Sequence, residues 1–195
     1  YGFAEPFALA EARKIEFPKP ADILSELEEA LVEIKHKPPE HITFSGHGEP
    51  TLHPEFPELV RGVNELRDRL SPDAGTAVLS NSSTVMIPEI QQALMELDKP
   101  IMKIDCSDRE RFQDYNQPAC GVKFDEVLAG LMKLREKRNF LVQALFTGGV
   151  RGNYSEKEME RWQEIIHRLN PLGVQVCTLT RPGPCEDIEA IELWG

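Results

Sequence analysis

The sequence has no apolar run approaching the roughly 20 residues of a membrane-spanning helix. Nor does its start, Tyr1-Gly2-Phe3-Ala4-Glu5-Pro6, show the basic-then-apolar order of a secretion signal. Its four cysteines, Cys106, Cys120, Cys177 and Cys185, include no Cys-x-x-Cys pair. That leaves no zinc or cluster motif and no disulfide scaffold, and the expectation is reduced thiols in a cytoplasmic protein. Basic residues are short, 22 Lys and Arg against 33 Asp and Glu, for a net charge of −11. A non-specific grip on nucleic-acid phosphates, which needs clustered cations, is therefore not expected. Gly46-His47-Gly48 lacks the third glycine of a dinucleotide fingerprint, because Pro50 and Thr51 follow Glu49. His41, His47 and His53 have no fourth ligand to suggest zinc. No low-complexity segment or linker divides the 195 residues, so residues 1–195 are expected to form one domain.

What is present is a strict alternation. Short apolar runs at Ile42–Ser45, Ala77–Asn81, Ile101–Asp105, Leu141–Phe146 and Val174–Leu179 read as buried strands. Between them lie helical stripes: Ile23 to Ile34, Phe56 to Leu70, Ile87 to Leu97, Phe124 to Leu134, and a fifth through Met159, Trp162 and Leu169. Ser155 and Glu158 read as a capping box for the fifth. Strand-helix alternation predicts a mostly parallel α/β sheet, barrel-like or doubly wound. The chain opens on a helix, so the repeat expects one further strand and loop upstream of Tyr1.

Function in such folds gathers at the carboxyl ends of strands. The first end is Ser45-Gly46-His47-Gly48-Glu49-Pro50, two glycines for close backbone approach or positive φ, a carboxylate, and a stiff exit. The second offers Ser80 and Asn81, as ligand contacts or as turn chemistry. Lys103 and Asp105, two apart, share one face and either pair with each other or bind something. Gln143 is a polar group in an apolar strand, a satisfied core amide or a ligand contact. Thr147, Gly148, Gly149, Thr178, Thr180 and Arg181 complete the rim.

These residues carry a resemblance. Phe44 to Pro54, Leu79 to Ser83, Lys103-Ile104-Asp105 with Phe112 and Asn116-Gln117-Pro118, Gln143 to Phe146, and Thr180-Arg181-Pro182 together resemble the radical S-adenosylmethionine (SAM) superfamily. The likeness is greatest to the stand-alone proteins related to archaeal tRNA wyosine-base synthases. The resemblance implies a partial (β/α)6 barrel, SAM, a 4Fe-4S cluster, and a 5′-deoxyadenosyl radical that abstracts hydrogen from a substrate. It also implies an electron donor such as flavodoxin or ferredoxin. The substrate, a small molecule, a peptide or a tRNA base, stays open. It places Gly46, His47, Gly48, Glu49 and Pro50 around the methionyl amino group. It sets Ser80, Asn81 and Asp105 near the carboxylate or ribose, and Lys103 and Gln143 along the barrel. The family's Cys-x-x-x-Cys-x-x-Cys triplet is absent from the sequence, and its thiolates are expected upstream of Tyr1. Two other readings stand beside this one: a non-catalytic SAM- or nucleotide-binding module, and an unrelated barrel lyase using Lys103 as base or Schiff-base amine.

Overall fold

Apolar strands fully buried on one face need helices to cover them, and the chain supplies one after each of the first four strands. The computed structural model describes residues 17–46, 48–119, 121–179 and 187–191. His47, Cys120, Thr180, Arg181, Pro182 and Cys185 lie outside the described residues. The order is α1 (Pro20–Glu33), β1 (His41–Phe44), α2 (Phe56–Leu70), β2 (Gly75–Ser80), α3 (Pro88–Met95) and β3 (Lys99–Lys103). Then come α4 (Phe124–Lys137), β4 (Leu141–Leu145), α5 (Glu156–Leu169) and β5 (Gly173–Cys177).

All four strand pairings are parallel and the order is β1-β2-β3-β4-β5. A strictly sequential parallel order, with right-handed crossovers, puts every helix on one face. This chooses the barrel-like winding over the doubly wound one. Alternate residues obey it. Phe44, Val78, Met102, Val142 and Ala144 join the core with helical Phe56, Leu94, Leu131 and Trp162. Met102 and Val142 are wholly enclosed, and truncating Met102 to alanine would cost about 2–5 kcal/mol. The in-between residues, including Leu79, Ile101, Lys103, Gln143 and Gln175, point to the other face. We call it the open face.

Local chemistry sets the helix ends. Pro20 opens α1, where its missing N–H costs nothing. A Cβ on Gly62 would overlap the Leu24 side chain, so the glycine lets α1 lie against α2. Ser155 caps α5 by accepting the Glu158 N–H at 3.3 Å. The capping box is half formed, because the Glu158 carboxylate accepts from Ser107 Oγ at 2.6 Å instead. Between β3 and α4 stands an element with no apolar period to announce it: a helical turn, Arg109–Arg111, running into a π-turn, Phe112–Asn116. On β5, Val174 and Val176 belong to the helix-side parity yet are 40% and 46% exposed. Among the described residues, no helix of the chain is long and apolar enough to cross a membrane.

Candidate functional site

Two carboxylates organise the rim where the strands end. The first is Glu49. β1 stops at Phe44, the chain passes Gly46 and Gly48, and a 3-10 turn begins at Pro50. Glu49 precedes that turn and caps it, accepting from Thr51 N–H at 3.2 Å and from Thr51 Oγ at 2.5 Å through Oε1. Its Oε2 accepts the Asn81 N–H at 2.5 Å, tying the β1 exit to the β2 exit. Thr51 Oγ also meets Thr84 Oγ. Burial pushes the Glu49 carboxyl above its ordinary value, and the bonds from Thr51, Asn81 and Ser80 only partly oppose this. Among the described residues no Lys, Arg or His pairs with it.

Neither Gly46 nor Gly48 takes a positive φ, so of the two roles open to them the left-handed one is not used. A Cβ at either would meet nothing within 4 Å among the described residues beyond its chain neighbours. They leave clear space beside the carboxylate. Asn81 engages through its backbone, while its side-chain Oδ1 accepts the Ser83 N–H at 2.9 Å, which is turn chemistry. Ser80 is buried and accepts from Ser82 N–H at 3.0 Å. Ser82 adopts φ 68°, a left-handed backbone outside glycine, and its Oγ donates to the Lys103 carbonyl at 3.0 Å. That bond joins the β2 exit to β3.

The second carboxylate is Asp105, whose side chain is fully enclosed. Lys103 Nζ pairs with its Oδ2 at 2.7 Å. Asn116 Nδ2, from the π-turn, donates to the same oxygen at 2.7 Å, and Leu145 N–H donates to Oδ1 at 2.8 Å. Asn153 Nδ2 bridges the carbonyls of Asp105 and Leu145, at 2.7 and 2.8 Å, and Trp162 Nε1 donates to the Ile104 carbonyl. Cys106, between these groups, donates to Asn116 Oδ1 at 2.9 Å. Burial and the Asp105 charge raise its pKa far out of the reactive range, so this thiol is inert. Burial likewise pushes Tyr115 up to about 12, and its hydroxyl receives a bond from Thr147 Oγ at 3.1 Å.

Gln143 stands on the open face in register with Lys103 on one side and Gln175 on the other. Its Nε2 donates to Gln175 Oε1 at 3.1 Å. The structure thus joins Glu49, Ser80 and Asn81 in one network and Lys103 and Asp105 in another, with Gln143 beside Lys103 in register. A small cavity lined by Asn81, Lys103, Asp105 and Asn116 runs under α4 against Phe112, Phe124 and Leu131. A larger cavity of about 360 Å³ opens beside Gly46, Gly48 and Glu49, but runs back between α1 and α2 on the helix side of β1. His53 closes part of it, its Nε2 2.9 Å from the Pro18 carbonyl and its Nδ1 accepting the Glu55 N–H. His41 meets Lys99 Nζ at 2.8 Å. Among the described residues no three His, Cys, Asp or Glu side chains group to hold a metal. The sequence reading passed over Thr51, Asn153 and Gln175. Only Gln175 had a signal, the same odd parity in its strand as Gln143.

No protein-family model matches the chain. A UPF0026 protein of Methanocaldococcus jannaschii is 27% identical over 169 residues, 86% of this chain and 50% of that protein. A GTPase Obg of Brachyspira hyodysenteriae is 27% identical over 172 residues, 87% of this chain but 24% of that protein. A UPF0026 protein of Synechocystis sp. is 28% identical over 179 residues, 91% of this chain and 63% of that protein. The chain thus spans between a quarter and two thirds of these relatives' lengths. It contains no Gly-x-x-x-x-Gly-Lys-Ser/Thr loop of its own to match the GTPase name.

Solved structures are more telling. SuiB of Streptococcus suis bound to S-adenosylmethionine superposes with a TM-score of 0.65 at 16% identity, over 91% of this chain and 38% of SuiB. A radical SAM methyltransferase from Sphaerobacter thermophilus also gives 0.65 at 16%, over 90% of this chain and 52% of that one. The fold is that of solved radical SAM proteins. A domain of pyruvate-formate lyase-activating enzyme from Bacteroides vulgatus gives 0.58 at 19%, over 78% of this chain and 85% of that domain. These likenesses establish the five-stranded parallel α/β architecture of a radical SAM partial barrel.

Proposed function

We propose that the chain is the SAM-binding part of a radical SAM enzyme. One observation carries the reading: Glu49 is a desolvated carboxylate held by neutral donors, with open space at Gly46 and Gly48 and no cation of its own among the described residues. A half-buried carboxylate without a cation is a costly arrangement, and a ligand ammonium relieves it. The amino group of SAM is such a group. Gly46, Gly48 and Pro50 keep the approach clear, and Ser80 and Asn81 fix the carboxylate from below.

The residues present do not fit an iron–sulfur cluster. Of the four cysteines, Cys106 is buried and bonded to Asn116, Cys177 lies on β5, and no cysteine triplet occurs in the sequence. No radical step is derived from this chain. The reading assigns the cluster, and with it reduction of SAM by a flavodoxin- or ferredoxin-type donor, to cysteines outside these 195 residues.

The lyase alternative is the weaker, because an amine nucleophile must be neutral and Lys103 sits in a 2.7 Å ion pair with an enclosed carboxylate. Calorimetric titration with S-adenosylhomocysteine tests the reading. One-to-one binding that is weakened in Glu49→Gln is expected, and absence of binding to the unaltered protein would overturn it. Turnover of SAM by a longer protein carrying the upstream residues separates the enzyme from a non-catalytic module.

A further inference from the structure

The open face is not uniform. Leu79, Ile101 and Leu141 stand in one register row across β2, β3 and β4. One step nearer the rim, Lys103, Gln143 and Gln175 stand in the next, across β3, β4 and β5. Neighbouring strands lie about 4.8 Å apart, so the polar row runs about 10 Å beside an apolar floor. An apolar floor with a polar edge suits a flat ligand group whose rim carries hydrogen-bonding atoms.

The row also carries no net charge. The Lys103 ammonium is cancelled by Asp105, and the other two members are carboxamides. The Gln143–Gln175 bond uses the Gln143 amide as donor and the Gln175 carbonyl as acceptor. It leaves the Gln175 amide N–H groups at the exposed end of the row, and among the described residues they have no protein partner. A hydrogen-bonded chain polarises its members in one direction, so the terminal N–H groups are the better donors for it. An anionic group would gain no uncompensated cation here and would face the −11 charge of the whole chain.

We infer that Lys103, Gln143 and Gln175 form the docking row for an uncharged amide-type group of the second substrate, a carboxamide or a nucleobase lactam edge, whose carbonyl oxygen accepts from Gln175. The inference rests on the SAM reading in one respect: it leaves the Glu49 end of the rim to the cofactor.

Side-chain amide resonances in ¹⁵N–¹H spectra test it, with Gln175 assigned by the signal that Gln175→Ala removes. The protein is first saturated with S-adenosylhomocysteine, then titrated separately with uridine, N-acetylglycinamide and acetate. The amide probes are expected to shift the Gln175 signal and acetate to leave it in place. Uridine acting more strongly would name the lactam source, and N-acetylglycinamide the carboxamide source. Gln175→Glu keeps the acceptor for Gln143 but has no N–H, and should weaken the effective amide probe about fivefold, the worth of one neutral hydrogen bond. Acetate shifting Gln175 as much as the amides, no response to either amide, or undiminished affinity in Gln175→Glu would each overturn the assignment. Failure of S-adenosylhomocysteine to bind, with the amide response intact, would sink the cofactor reading and leave this one standing.

Discussion

Glu49 and Asp105 are two solutions to one structural task. Each is a carboxylate at a strand exit, and each takes the backbone N–H of the next strand's exit, Asn81 for Glu49 and Leu145 for Asp105. They differ in the cation. Asp105 has Lys103 and the Asn116 amide and is sealed. Among the described residues, Glu49 has only neutral donors and stands beside two glycines with room at their Cβ positions. On the proposed reading, the difference separates a carboxylate that completes the fold from one left for a ligand. Position in the sequence does not separate them.

The sharpest way to break this contrast is Asp105→Asn. The amide would set an NH₂ against the Lys103 ammonium or the Leu145 N–H and remove the enclosed charge that pairs with Lys103. It is expected to cost about 3–5 kcal/mol, a fall in melting temperature of roughly 10 °C for a chain of this size. Glu49→Gln should leave ligand-free stability within about 1 kcal/mol, because the relieved desolvation offsets the lost Asn81 bond. Equal losses of stability in thermal melts of the two variants would erase the distinction.

Binding should reverse the order. A charge-assisted hydrogen bond is worth about 1.5–3 kcal/mol, so Glu49→Gln is expected to weaken S-adenosylhomocysteine between about tenfold and a hundredfold. Calorimetry reads this directly.

Acidity gives a third test. The Glu49 pKa is raised above the ordinary 4.5 in the folded protein. The folded state therefore holds more protons than the unfolded one between 4.5 and the raised value, and this group's contribution to stability falls as pH rises through that window. An ammonium ligand needs the ionised form. Its affinity should decline on acidification with a midpoint above 4.5, and Glu49→Gln should flatten the profile. A profile in the unaltered protein that stays level down to pH 4.5 would remove Glu49 from the site.

The smallest effect belongs to Thr51→Val, which deletes the hydroxyl donor to Glu49 Oε1. That bond favours the ionised carboxylate, so its loss should move the binding midpoint upward, with affinity at neutral pH falling about threefold. An unmoved midpoint would mean that the Thr51 hydroxyl serves Thr84 alone.

The elements were legible because apolar period and strand parity are local properties. Each expected strand is found within two or three residues of its place, and the helical stripes lie on α1 to α5. Parity also put Lys103 and Asp105 on one face, where the structure shows them paired. It could not give the Asn81 N–H to Glu49 or the Leu145 N–H to Asp105, since backbone groups have no residue identity to read and the partners are 32 and 40 positions apart. Asn153 was missed for the same reason, acting through a contact that only the packed rim creates; Thr51 bonds Glu49 only two positions away, inside a turn with no apolar period to mark it. The sequential strand order decided between two windings that the alternation alone left equal.

The π-turn at Phe112–Asn116 has a mechanical consequence. Such a turn holds one more residue than an α-helical one, and successive residues on a helix are rotated by about 100°. Asn116 reaches Asp105 only because that extra residue sets its bearing. Rewinding the same five residues as a regular α-helix would swing the Asn116 amide about a third of a turn off its target. That would detune the Asp105 clamp without altering any residue that touches it.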